Sequence, residues 1–137
     1  MDIQFISSKI QTKFSVCTLI RTMLLENERV SELVGDKIFP IIAPEGTKSD
    51  FITYVRDEYS IERTKMGISN HNCTVYISCV SSDYDRSQDI ADAVFQALDG
   101  RYKINTEQQS IREIYMVDST EDYAGDNYIQ TLAFQIK

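Results

Sequence analysis

The chain has 137 residues, 42% hydrophobic and 26% charged, the balance expected of one globular domain with no room for a second core. Twenty-one acids against fourteen bases give a net charge of −7, which argues against a protein that grips nucleic-acid phosphates. No apolar run approaches the roughly 18–20 residues of a membrane helix, and a chain of this size can bury enough surface to fold without metal or disulfide staples.

Residues 1–14 follow no regular pattern and read as an N-terminal arm. Their start, Met1-Asp2-Ile3-Gln4-Phe5-Ile6, lacks the apolar core and cleavage site of a signal peptide, so the protein is expected to stay in the cytoplasm of the cell that makes it. From Ser15, the residues Val16, Leu19, Ile20, Met23 and Leu24 recur with the spacing of an amphipathic helix. A second short helix is expected over Asn27 to Val34, with Val30, Leu33 and Val34 inward. Gly35 follows, where a left-handed residue stops a helix. Asp36 to Pro40 then leaves as an edge strand or extended lead-in, because proline cannot donate to a ladder.

Pro44 to Asp50 is a loop by composition, and Phe51 to Tyr59 is rich in strand formers. Ile61 to Asn72 is polar and reads as a loop or a frayed continuation. His71 to Ser81 alternates cleanly, with Cys73, Val75, Ile77 and Cys79 on one face. The strongest helical pattern runs from Asp83 to Leu98, with Ser82 or Asp83 as N-cap, Ile90, Ala91, Val94, Phe95 and Leu98 as its stripe, and Gly100 just past its end. Residues 101–110 read as a connection. Ile111 to Val117 reads as a strand with Ile111, Tyr115 and Val117 on one face. Asp118 to Asn127 reads as a turn or protruding loop. Tyr128 to Ile136 closes the chain as a strand with Leu132, Phe134 and Ile136 aligned. The order α-(α)-β-β-β-α-β-β predicts an α+β fold: a single mostly antiparallel sheet with helices packed on one face, forming one domain over residues 15–137.

The chemistry on offer is sparse. Asp85, Asp89 and Asp92 share a helix face and could in principle hold a divalent cation, but that face lies opposite the apolar stripe, so a solvated surface is the expectation. The run Asp118-Ser119-Thr120-Glu121-Asp122 lacks the spacing of an EF-hand. His71 and Cys73 would share a strand face, yet Cys73 opens an apolar stripe, which suits a buried thiol better than a nucleophile. Cys17, Cys73 and Cys79 are expected to stay unpaired, since an odd count fits a reducing compartment and Cys73 and Cys79 would lie about 20 Å apart on a strand. His71 is the only histidine, and the sequence carries no GxSxG, Walker A or GxGxxG motif. No catalytic, cofactor or metal-ligating residues are therefore assigned.

Two features are left for function. Tyr54, Tyr59, Tyr76, Tyr115 and Tyr128 all fall in expected strands, from β-propensity or as an interface on the open sheet face. The whole charge excess, eleven acids against four bases, lies between Asp83 and Asp126.

The run Leu33-Val34-Gly35-Asp36-Lys37-Ile38-Phe39-Pro40, followed by Ala43-Pro44-Glu45-Gly46 and Phe51-Ile52-Thr53-Tyr54, resembles phage tail-terminator and tail-completion (head-tail joining) proteins. Two later segments are also similar to that family: Thr74-Val75-Tyr76-Ile77-Ser78, and Tyr84-Asp85 leading through Ile90-Ala91-Asp92-Ala93-Val94 to Leu98-Asp99-Gly100. Phe51 departs from it, standing where a proline-aromatic pair is usual. The resemblance covers residues 15–137. It implies a structural virion protein, assembled in the host cytoplasm, that caps the tail tube as a ring, usually hexameric, around the DNA channel. Its implied partners are further copies of itself, tail-tube and head-connector proteins, with DNA passing through unbound and no membrane, cofactor or reaction. The alternative from the residues alone is a small non-catalytic adaptor that binds a protein through its sheet.

Overall fold

In the computed structural model, which describes residues 11–67 and 69–137, the first apolar stripe forms α1 (Val16–Glu26). Val16, Ile20, Met23 and Leu24 are buried, and Leu19 packs half-buried beside them. Asn27 ends α1 and caps α2 (Glu28–Val34), its side-chain oxygen accepting from the Val30 N–H at 3.0 Å. Gly35 closes α2 at φ +63°, a conformation that costs a residue with a β-carbon roughly 1–2 kcal/mol.

A short edge strand, β1 (Ile38–Pro40), runs parallel to β2 (Phe51–Arg63). Antiparallel pairing then joins β2 to β3 (Ser69–Ser81), from Phe51 opposite Val80 to Arg63 opposite Ser69. Helix α3 (Tyr84–Leu98) carries the chain to the far edge, where β4 (Arg101–Asn105), β5 (Ser110–Ala124) and β6 (Asn127–Ile136) return toward the centre. The sheet order is β1-β2-β3-β6-β5-β4, so the last strand fills the middle, and only the β1–β2 pair is parallel.

One face of the sheet supplies Ile52, Cys73, Val75, Ile77, Cys79, Leu132, Phe134 and Ile136 to the core. They meet Val16, Ile20 and Leu24 of α1 and Ile90, Val94 and Leu98 of α3. The fold is α+β with helices on one face, as the element order predicts. Each element is amphipathic, and burying those faces together removes them from water at about 25 cal/mol per Å².

Three segments differ from expectation. Ile61–Asn72 is mostly strand, because the β2–β3 ladder continues beyond the core, where polar side chains on both faces hide the alternation. Residues 101–110, expected as a connection, contribute β4. The expected loop 118–127 is largely the end of β5, and only Gly125 and Asp126, at φ +59° and +65°, make the two-residue turn into β6.

The face assigned to Ile111, Tyr115 and Val117 also needs correction. The N–H groups of Arg112 and Glu113 both donate to the Lys137 carbonyl, at 2.6 and 3.3 Å, the pattern of a β-bulge. Ile111 and Ile114 are consequently both buried. A second shift between Met116 and Asp118 leaves Val117 outside the ladder and half exposed.

Residues 1–10 of the expected arm lie outside the described residues. Residues 11–14 are strapped to the domain. The Lys13 N–H donates to Tyr59 Oη at 3.1 Å, Lys13 Nζ donates to the Ser110 carbonyl at 3.0 Å, and Gln109 Nε2 donates to the Thr12 carbonyl at 3.0 Å. Phe14 packs edge-on against Tyr59, with ring centroids 5.2 Å apart.

Candidate functional site

The acids of α3 stand where helical periodicity puts them. Asp85, Asp89 and Asp92 are exposed, opposite Ile90, Val94 and Leu98. Among the described residues, no three histidine, cysteine or acidic side chains converge as a metal site would require. Asp118, Glu121 and Asp122 are spread along β5 rather than gathered in a loop. Asp118 and Asp122 pair with Ala133 and Ile129 on the open face, while Glu121 pairs with Gln130 on the helix side.

His71 and Cys73 do share a face of β3, but His71 Nδ1 is hydrogen-bonded to Tyr59 Oη at 2.6 Å and Cys73 is buried. Burial, reinforced by Cys17, pushes the Cys73 thiol up to about 11, and burial raises Cys17 and Cys79 as well. Protonated thiols of this kind are weak nucleophiles.

Of the five strand tyrosines, Tyr76 and Tyr115 lie on the open face, beside Thr53, Thr74, Ser78, Thr131 and Gln135. The Ser78 and Thr131 hydroxyls are 3.2 Å apart, and Gln135 Nε2 donates to Thr74 Oγ1 at 2.7 Å. Tyr54 and Tyr59 point to the helix side, because Tyr54 shares the parity of Ile52 and a bulge between Arg56 and Glu58 turns Tyr59 inward. Tyr128 packs edge-on against Tyr84 and tilted against Tyr123 at the start of α3, at centroid distances of 5.2 and 4.9 Å. There Tyr84 Oη donates to both Glu121 oxygens, at 3.1 and 3.2 Å, and the carboxylate holds the phenol above its ordinary value.

Sequence reasoning missed a strained apolar turn beside β1. The Ile42 N–H donates to the Pro40 carbonyl at 2.6 Å, and Ile41 between them has φ +64°, which makes a three-residue turn of the rare, strained sense. It holds Ile41 72% and Ile42 77% exposed. Both border a shallow hollow of about 370 Å³ with Pro44, Phe51 and Thr53. The available signal was two β-branched apolar residues between Pro40 and Pro44. Ile41 thus bears backbone strain without gaining burial from it.

A second missed feature is electrostatic. A polar cleft of about 360 Å³ opens at the end of the sheet where β3 and β5 begin and β6 ends. Lys13, His71, Lys103, Arg112 and Lys137 line it, and among the described residues no aspartate or glutamate does. Glu107 and Glu113, near it in sequence, are not part of the lining. Burial lowers the Lys13 ammonium below its usual range. The opposite end of β5 carries Asp118, Glu121, Asp122 and, in the turn, Asp126, all exposed. The described domain is thus basic at one end of the β5–β6 hairpin and acidic at the other.

No helix among the described residues is long and apolar enough to cross a membrane. No protein-family model matches the chain, and no curated protein matches it. Its fold is similar to that of a chain in the virion of a native gene transfer agent (GTA) particle, with a TM-score of 0.74 and 15% identity, over 85% of this chain and 89% of that one. At that identity the likeness establishes a shared fold.

Proposed function

We propose that this chain is a structural subunit of a phage-type virion that caps the tail tube and contributes to the head-tail junction, as a ring, hexameric when assembled, around the DNA channel. The observation that carries this reading is the fold it shares, over most of its length, with a chain of a gene transfer agent virion. The tail-terminator resemblance of residues 15–137 narrows the position to the end of the tail. Exposed Ile41 and Ile42 suit burial against a tail-tube or head-connector subunit. The charge of −7 suits a channel that DNA traverses without being held. Under this reading Asp85, Asp89 and Asp92 face the channel, the subunit needs no cofactor and runs no reaction, and assembly takes place in the host cytoplasm.

Electron microscopy of tail tubes assembled with and without the protein tests the reading. Capped tubes of limited length, with ring density at one end, are expected. Bare ends and an unchanged length distribution refute it. The adaptor alternative draws on the open face around Tyr76 and Tyr115, and it gains if the chain stays monomeric and binds a partner one to one.

A further inference from the structure

We infer that neighbouring copies of this chain dock head to tail, with the acidic β5–β6 hairpin of one copy seated in the basic cleft of the next. The inference rests on the ring reading above and names the surfaces that close the ring.

The cleft is built to receive negative charge. Lys13 is anchored through Nζ to the Ser110 carbonyl. Lys103 and Lys137 rest near the Tyr102 and Tyr115 rings, with Nζ 6.0 and 5.5 Å from the ring centroids. Arg112 projects into solvent from the bulge opposite Lys137. None of these four cations forms an ion pair with a described residue; the ion pair among those residues is Arg86–Asp50. Four cations gathered around one hollow, without an ion pair among the described residues, make a local positive surface on a chain of net charge −7, complementary to a carboxylate-bearing partner.

The same chain carries the matching surface. Glu121 is engaged by Tyr84 and Gln130, but Asp118 and Asp122 stand exposed on the open face of the hairpin. Among the described residues, their carboxylates accept only from the next residue's N–H in each case. Paired strands down to Ala124 and Asn127 make this hairpin an ordered projection rather than a loose loop. Arg112 and Asp122 are ten residues apart along β5, roughly 33 Å at strand rise, which exceeds the roughly 10 Å screening length at moderate salt. The hairpin acids of one copy therefore do not reach its own cleft, whereas those of a second copy can. Complementary surfaces at opposite poles generate a heterologous contact, and repetition of such a contact about an axis closes a ring. Nucleic-acid phosphates offer the same charge to the cleft, but they would also meet the acidic remainder of the domain.

The test uses two double variants of the full chain, Lys103→Glu/Arg112→Glu in the cleft and Asp118→Lys/Asp122→Lys on the hairpin, with mass measured by sedimentation over a range of concentrations. Circular dichroism confirms that each variant is folded. The wild type is expected to associate at low salt and to weaken as added salt shortens the screening length toward about 3 Å. Each variant alone is expected to associate at least about tenfold more weakly, because the altered surface loses its net charge and its exchanged positions repel the unaltered surface of the next copy. An equal mixture of the two is expected to recover association, since the unaltered hairpin of one variant then meets the unaltered cleft of the other, and the exchanged positions face residues of opposite sign. Variants that associate like the wild type, or a mixture that stays monomeric, overturn the inference. A wild type that stays monomeric throughout overturns it too, while the tail-capping reading still stands or falls on tube ends and lengths. Labelled duplex DNA bound by the wild type and released by Lys103→Glu/Arg112→Glu overturns it in favour of phosphate as the cleft's occupant.

Discussion

Replacing Ile41 with glycine and with alanine should reverse the usual stability order. In most exposed positions alanine is the better residue, because glycine adds about 0.5–1 kcal/mol of conformational freedom to the unfolded chain. At φ +64° the balance shifts. A left-handed backbone costs any residue with a β-carbon roughly 1–2 kcal/mol, and alanine still bears that cost. Glycine is therefore expected to exceed alanine by about 0.5–1 kcal/mol. Both variants lose the small part of the isoleucine that is buried, about a quarter of a full burial worth roughly 1.5–3 kcal/mol, so about 0.5 kcal/mol. Ile41→Gly should then match or slightly exceed the wild type, and Ile41→Ala should fall about 0.5 kcal/mol below it. Urea unfolding of the monomer by linear extrapolation measures all three. Both variants should bind tail partners more weakly, since the exposed side chain is gone from each. If alanine proves the more stable replacement, the turn is not strained as described. If both variants cap tails like the wild type, the apolar turn is not a contact surface.

Other changes test separate parts of the account. Phe134→Ala removes a fully buried ring at the centre of the sheet and should cost about 3–5 kcal/mol in urea unfolding; a loss under about 1 kcal/mol would contradict its place in the core. Arg86→Met leaves Asp50 without the guanidinium 2.6 Å away and the Leu33 carbonyl without its donor. Because Arg86 is 43% exposed, solvent screening holds the expected loss near about 1 kcal/mol, and no loss at all would show that the pair ties nothing together. Stability should fall as pH rises from 9 toward about 11. The unfolded Cys73 thiol ionises from its ordinary value of 9.0, while the folded one keeps its proton to about 11, so the folded state is favoured fully only below 9. Cys17 and Cys79, also raised by burial, add to the decline, so Cys73→Ala should lessen it without abolishing it, and an unchanged slope would refute the assignment. Asp85→Lys, Asp89→Lys and Asp92→Lys together should leave the fold intact, within about 0.5 kcal/mol per site, yet impede DNA passage through assembled particles. Normal DNA transfer by that variant would remove α3 from the channel wall.

Amphipathic periodicity by itself determined the helices and the core-facing residues of two strands. Val16, Ile20 and Leu24, and likewise Cys73, Val75, Ile77 and Cys79, announce one buried face each, because a regular element that buries one side must repeat its apolar residues at its own period. Gly35 marked the end of α2 for a reason equally local, a backbone conformation that other residues resist.

Tertiary structure decided everything that depends on a partner strand or on distant residues meeting. The bulges at Arg112–Glu113 and Met116–Asp118, which bury Ile114 and expel Val117, exist only relative to β6 and leave no period in the sequence. The long hairpin extensions lie beyond the core with both faces solvated, so their strand character comes from backbone pairing that side chains do not report. The basic cleft is the clearest case. Lys13, Lys103, Arg112 and Lys137 are scattered through an acidic chain, and composition averages them away. They converge because the strap at residues 11–14, the β4–β5 turn and the end of β6 meet at one end of the sheet, and charge acts through distance in space rather than along the chain.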